Sequence, residues 1–437
     1  MPFSIHSSRR PKLCGRPRGD WLAVWLTACG LFAAATPAGA ERFVAVAWND
    51  SSQGRGAVQR LGTEPPWTFE GAALAVGANS SLRFAGARLY ALSPVDATVT
   101  AIDLTTWSVD EIYALGAPNP PLDIAVVDSS LAYLTIRDST QLLRLDLETG
   151  ATQLVLDLAG FEHPAGLLTA GMMEIDAGRL LIQVARLDLG TAGSAAASDP
   201  TGYLAVVDIA SEQLVDVDPV QSGIQAIALQ GTFPKYKMNL LRDERRLYLS
   251  ASGAFFDQGG LEEVDVDALA SLGLAIAEAD GQTAADLGSF AMVGSDRGLL
   301  VSSTDLAPSS HLARFSLAGG VQPEELWVTV DYRAPTMVHD PQTHTVFVPD
   351  GGSTNAVWVF DADSGEQLNR EPLALAGPAS DIELLCDPEI ECDCAVGYSC
   401  AAVPTSSVLG ITLLSLALCT AGIFGTLYLV AARRPAD

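Results

Sequence analysis

The sequence predicts an all-β fold, a seven-bladed β-propeller, extended by one C-terminal transmembrane helix. Three observations predict it: a strand signature closing on aspartate that recurs through the middle of the chain, a β-branched or aromatic run ahead of each copy, and one long uncharged apolar run near the C-terminus. The copies read Thr100-Ala-Ile-Asp103-Leu, Leu143-Arg-Leu-Asp146-Leu, Ala205-Val-Val-Asp208-Ile, Glu263-Val264-Asp265-Val and Trp358-Val-Phe-Asp361-Ala. A degenerate copy, Ala313-Arg-Phe-Ser316-Leu, fills the gap before the last, and Ala57-Val-Gln-Arg60-Leu opens the series. Successive copies lie 43 to 62 residues apart, the length of a four-stranded blade.

Each copy follows a short strand suited to a pleated, half-buried surface, such as Phe43-Val-Ala-Val-Ala-Trp48, Leu131-Ala-Tyr-Leu-Thr135 or Leu247-Tyr-Leu-Ser250. Seven such units start near residues 43, 89, 132, 180, 247, 299 and 346; the weak first and sixth copies leave six or eight blades open. After the aspartate comes a polar turn, clearest in Glu148-Thr-Gly150 and Ser364-Gly365. An aspartate there accepts hydrogen bonds from turn amides, and glycine supplies the positive φ of the reversal. One unit cannot bury both faces, so units pack around an axis, and closing the ring with strands from both chain ends removes exposed edges. A β-sandwich would not repeat one strand signature at this period.

The units at 131–155 and 346–368 resemble the YVTN family of seven-bladed propellers, whose repeat joins an aromatic strand, a polar loop, a hydrophobic strand ending in Asp, and a Thr-Gly or Ser-Gly turn. The units holding Ser316 and Arg60 match that pattern poorly.

The ends predict export and anchoring. A basic stretch, Arg9 to Arg18, leads into an apolar stretch and then Thr36-Pro37-Ala38-Gly39-Ala40, the pattern of a cleaved secretory signal over residues 1–40. Ser8-Arg9-Arg10 also suggests a twin-arginine signal, and Leu26-Thr27-Ala28-Cys29 a lipoprotein box that would acylate Cys29. Residues 408–432 carry no charge and precede Arg433-Arg434, a length and flank that fit a span with its short tail (433–437) in the cytoplasm. The expected organisation is thus a β-propeller ectodomain at 41–385, a cysteine-rich stalk at 386–407 and the span, placing a single-pass protein in the cell envelope or on the surface, with the membrane as one partner.

Four of the seven cysteines, Cys386, Cys392, Cys394 and Cys400, sit in the stalk and none in the propeller. In an oxidising compartment they read first as two disulfides, with Cys392–Cys394 the least favoured pairing; a zinc site lacks its usual paired spacing. Cys394 to Cys400, the apolar run and Arg433-Arg434 together resemble the MYXO-CTERM tails of myxobacterial surface proteins. That resemblance implies recognition and processing of the tail, although the chain ends Pro435-Ala436-Asp437 where more arginines would be expected.

Net charge is -27, a field that repels nucleic acid and anionic membrane surfaces and favours basic partners or divalent cations, calcium first. The acidic surface also simply keeps a protein soluble. Two insertions stand out: a Gly, Ala and Ser-rich stretch at 189–202, and 231–246, where Lys235, Lys237, Arg242, Arg245 and Arg246 form a basic island that contacts either an acidic partner or the propeller's own acids. Residues 267–280 suggest a short helix by their Ala and Leu content. Of His163, His311, His339 and His344, the closest pair, His339 and His344, flanks a β-turn and reads as turn residues, and Asp361-Ala-Asp363-Ser-Gly-Glu366 lacks the ligands of a calcium loop. No nucleophile elbow, zinc-protease helix, P-loop or dinucleotide fingerprint occurs in the propeller. No catalytic, cofactor-binding or metal-ligating residue is therefore assigned, and no cofactor is required. The expected function is a non-catalytic surface module binding a protein or glycan at a propeller face. The alternative is a propeller enzyme, a lactonase-like hydrolase or quinone-dependent oxidoreductase, with a metal site in the channel.

Overall fold

In every unit the β-branched or aromatic run and the signature run, which ends in aspartate in five of the seven, become adjacent antiparallel strands, and a strand on either side completes a blade. The computed structural model describes residues 42–385 except 51–53, 117–118, 162–165, 189–201, 232, 253–258, 279–284, 305–308, 331–335 and 353.

Blade 1 contains β1 (Phe43–Asp50), β2 (Arg55–Gly62) and β3 (Phe69–Val76). Blade 2 runs outward as β4 (Ser81–Ala85), β5 (Arg88–Ser93), β6 (Thr98–Asp103) and β7 (Ser108–Ala114); blade 3 as β8 (Pro121–Val126), β9 (Leu131–Ile136), β10 (Gln141–Asp146) and β11 (Thr152–Asp157). Blade 4 has β12 (Gly166–Asp176), β13 (Arg179–Asp188) and β14 (Tyr203–Asp208), whose outer partner is split into β15 (Gln213–Leu214) and β16 (Ile227–Ala228). Blade 5 is β17 (Phe233–Leu241), β18 (Arg246–Ser252), β19 (Gly260–Asp265) and β20 (Ala270–Ala277). Blade 6 is β21 (Ala285–Met292), β22 (Arg297–Thr304), β23 (Ser309–Ser316) and β24 (Gly320–Val330). Blade 7 is β25 (Val338–Asp340), β26 (Thr345–Asp350), β27 (Ala356–Asp361) and β28 (Leu373–Ala374). The last strand, β29 (Ala379–Leu385), pairs antiparallel with β1 as the innermost strand of blade 1, so both ends of the described chain close one sheet. Seven sheets result, settling the blade number left open by the weak copies.

Seven apolar clusters hold the ring, one between each pair of neighbouring blades. Tyr90, Leu92 and Tyr113 of blade 2, for instance, bury against Ile124, Leu134 and Leu145 of blade 3. No blade owns a core, which is why one unit cannot stand alone.

The aspartates of the signature end the third strand and cap the outer hairpin. Asp146 accepts hydrogen bonds from the amides of Glu148 and Thr149 (2.9 and 2.8 Å), and Asp361 from those of Asp363 and Ser364 (3.1 and 2.7 Å). These amide bonds hold the carboxyls of Asp103, Asp146, Asp265 and Asp361 below the usual range; at Asp208 the Ser211 hydroxyl contributes first. Four residues after each aspartate the backbone turns left-handed, at Trp107 (φ 47°), Gly150 (72°), Glu212 (55°), Leu269 (50°) and Gly365 (73°). Ser316 caps in the same way with its hydroxyl, accepting from the Gly319 amide (2.9 Å).

Three expectations are corrected. Residues 270–277 form the outer strand β20, not part of a helix: pairing with β19 overrides the helical leaning of Ala and Leu. The transmembrane helix has no support: among the described residues no helix is long and apolar enough to cross a membrane, the one helical element being the 3-10 turn Leu158–Phe161, and residues 408–432 lie outside them. Uncharged apolar length is a requirement for a span and does not by itself establish one. The membrane partner, the single-pass anchoring and the surface location that rested on it lapse with the helix. The disulfide expectation likewise has no structural support, because Cys386, Cys392, Cys394 and Cys400 lie outside the described residues. The leader at 1–40 lies outside them too.

Candidate functional site

The seven innermost strands, in ring order β29, β4, β8, β12, β17, β21 and β25, line the axis. Most are apolar on the faces they turn to neighbouring blades, yet five carry charges at one level: Asp381 and Glu383 on β29, Arg83 on β4, Asp123 on β8, Glu174 on β12 and Lys237 on β17. The ladder between first and second strand is irregular at that level in five blades, with register shifts beside Asp123, Met173, Lys237, Gly288 and Ser380. Bulges re-aim side chains and free amides, and here the freed amides bind carboxylates. Asp123 accepts from the amides of Ile124 (2.9 Å) and, in the next blade, Met173 (2.7 Å). Asp381 accepts from Ile382 (2.8 Å) and, across the closure, from Leu82 (2.6 Å), and also from the Thr336 hydroxyl.

The cations complete a network across the channel. Arg83 grips Asp123 through Nε and Nη2, both at 2.6 Å, and reaches past β8 to the carbonyl of Met173 on β12 (3.3 Å). Lys237 donates to Glu383 (2.5 Å) and the Ile382 carbonyl (3.2 Å) and lies 3.0 Å from Asp381. β17 and β29 are not neighbours, because β21 and β25 stand between them on the short way round, so Lys237 spans the channel. Burial pulls its ammonium pKa down, but Asp381 and Glu383 outweigh that and hold it above the usual value. Glu174 is buried, and its contact to Arg242 is long (3.4 Å). Burial therefore dominates and pushes its carboxyl up to about 7, against the pull of Arg83 and Arg242 and with Asp123 and Glu383 adding to the rise.

The basic island turns inward on the propeller's own acids. Besides Lys237 and Arg242, Arg245 bonds Asp176 (2.6 and 2.8 Å) and Asp267, and Arg246 bonds Asp265 (2.7 Å) and Glu263 (3.0 Å). His339 is buried in blade 7 and its imidazole is pushed down to about 4 by that burial. His344 sits at positive φ in the turn between β26 and its neighbour, His311 lies on β23, and His163 is outside the described residues. Asp363 of the calcium-like segment pairs with Arg297 (2.7 Å). The channel metal site of the enzyme alternative is corrected: among the described residues no group of three or more His, Cys, Asp and Glu could hold a metal ion. The axial acids are already taken by arginine, lysine and backbone amides.

Among solved structures, the chain is similar to a protein from Lactobacillus plantarum at 14% identity, covering 79% of this chain and 100% of that one, with a TM-score of 0.55. A functionally unknown protein from Desulfotomaculum acetoxidans matches at 13% identity over 78% of this chain and 98% of that one, TM-score 0.49. The likeness is one of fold alone. No protein-family model matches the chain, and no curated protein does. The YVTN and MYXO-CTERM resemblances are therefore corrected to the seven-bladed fold: a strand ending in a turn-capping aspartate follows from the geometry of this hairpin and does not by itself mark a family.

A second feature lies at the rim. An open cavity of about 680 Å³ separates the outer strands of blades 4 and 5, walled by Phe161 and Tyr203 at one end and by the segment joining β15 to β16 along one side. The rings of Phe161 and Tyr203 pack at 6.0 Å, tilted by 32°.

Proposed function

We propose that the propeller is a non-catalytic interaction scaffold that binds a protein or glycan ligand on its outer surface. The observation that carries this is the cross-channel network: Arg83 is spent on Asp123 and Lys237 on Asp381 and Glu383, so the axis holds the ring together. A catalytic channel keeps polar groups for its substrate, whereas this one neutralises them in place. The rim, by contrast, offers an open cavity and exposed apolar side chains, the features of a docking surface.

The test is ligand selection from peptide and glycan libraries on the purified protein, followed by hydrogen exchange of the bound complex. Protection confined to outer strands and rim loops supports the scaffold. Turnover of a lactone or of a quinone-coupled alcohol that is lost in Glu174→Gln would overturn it.

A further inference from the structure

The rim groove between blades 4 and 5 gives the scaffold a partner chemistry; the inference rests on the scaffold reading. We propose that this groove binds an extended peptide segment of a partner protein, laid along the outer edge of β20, in which apolar residues alternate with lysine or arginine.

The backbone provides the first reason. β20 is the outermost strand of its blade, and its outer edge pairs with no strand among the described residues. Ala270 and Ser271, at the start of that strand, line the cavity, while farther along the Leu274 amide donates to Gln230 (3.4 Å). An open edge is a template for one more strand. Across the cavity the outer strand of blade 4 is interrupted: β15 and β16 pair with opposite ends of β14, and the chain between them contributes Val217, Asp218, Gln221, Ile224 and Gln225 to the cavity lining.

Side chains provide the second reason. Val220 (93% exposed) and Ile224 (55%) on the intervening segment, and Leu272 (54%) on β20, are three of the seven large apolar residues exposed among the described residues. Ile224 lines the cavity, and Val220 and Leu272 lie on the two elements that frame it, which leaves apolar surface uncovered at and beside the groove.

Charge fixes the class of occupant. Asp218 is the one charged residue among the described lining residues, and its carboxylate is held by the Val220 amide (3.2 Å) and Gln221 (2.6 Å) with no cation in the lining. The chain as a whole carries -27. In an added strand successive side chains alternate between faces, so apolar residues on one face meet Ile224 while cations on the other meet Asp218 and the surrounding negative field. An acidic or glycan ligand meets neither condition.

The probe is a fluorescein-labelled peptide of alternating valine and lysine, with alternating valine and glutamate as comparison, titrated into the full chain by fluorescence anisotropy. The valine–lysine peptide should bind about tenfold or more tighter than its acidic counterpart. Asp218→Asn and Ile224→Ser should each weaken it about fivefold or more. Glu111→Gln, on exposed β7 in blade 2, should leave it within about twofold, which excludes attraction by net charge alone. These side chains are exposed or half-buried, so unchanged melting curves certify the variants. Equal binding to wild type and variants would place the peptide elsewhere on the propeller, sinking the groove and leaving the scaffold standing. Failure of wild type to bind the basic peptide sinks the groove as well, while the library selection decides the scaffold on its own.

Discussion

Glu174→Gln is the sharpest perturbation of the axis, because it replaces a buried carboxyl with a neutral group of the same shape. In the folded protein that carboxyl titrates near 7, raised by burial from 4.5, while Arg83 and Arg242 pull it down and Asp123 and Glu383 push it up. Between those two values the folded state keeps a proton that the unfolded chain has released. Stability from this group is therefore full below about pH 4.5 and is lost as pH rises through about 7, at roughly 1.4 kcal/mol per pH step. The whole loss comes to about 3 kcal/mol. Glutamine has no proton to lose, so the variant should gain about 3 kcal/mol on wild type between pH 5 and pH 8. Urea unfolding of both proteins at several pH values measures this, with midpoint and slope read together. A wild type and variant whose stabilities run parallel from pH 5 to pH 8 would refute the assignment of a buried, proton-holding Glu174.

Two further outcomes follow from the same geometry. His339, held near 4 by burial, is neutral in the fold; its contribution is intact above about pH 6.5 and is lost as pH falls through about 4, so His339→Gln should flatten the acid limb of the same urea series by roughly 3 kcal/mol. This slope opposes that of Glu174, which is why each is read from its own variant. Gly365→Ala should cost about 2 kcal/mol or more in melting experiments, since its φ of 73° is left-handed and an added Cβ would lie 2.6 Å from Leu326 Cδ1. Gly150→Ala, whose added Cβ would sit 3.4 Å from Tyr113, should cost about 1 kcal/mol from backbone strain alone.

The blade count was legible because the third-strand aspartate is a local requirement: Asp103, Asp146, Asp208, Asp265 and Asp361 each cap a hairpin two or three residues on. The turn itself was legible only at Gly150 and Gly365, because Trp107, Glu212 and Leu269 occupy the same left-handed position without the glycine that advertises it. The axial site was not legible. Arg83 meets Asp123 40 positions on, and Lys237 meets Glu383 146 positions on, so no spacing rule links them. One signal was present: Asp381-Ile382-Glu383-Leu384 alternates carboxylates with apolar residues, which marks a strand with one charged face. The repeat does not carry it, because the shared signature lies on second and third strands while each innermost strand varies with its place in the ring. The basic island was found, but which acids it serves depends on closure of the whole ring. The long spacing between Asp208 and Asp265 showed that material is inserted there; that part of it interrupts an outer strand and opens a groove emerges only once β15 and β16 are seen pairing with the same strand.

A double-mutant cycle between Lys237 and Asp381 tests most directly whether the channel is closed by ion pairs that cross it. With Lys237→Met, Asp381→Asn and the combined variant unfolded in urea at pH 8, the account predicts a coupling of about 2 kcal/mol, the double variant being less damaged than the sum of the singles. Losses that simply add, within about 0.5 kcal/mol, would mean the two groups do not meet across the axis and would contradict it.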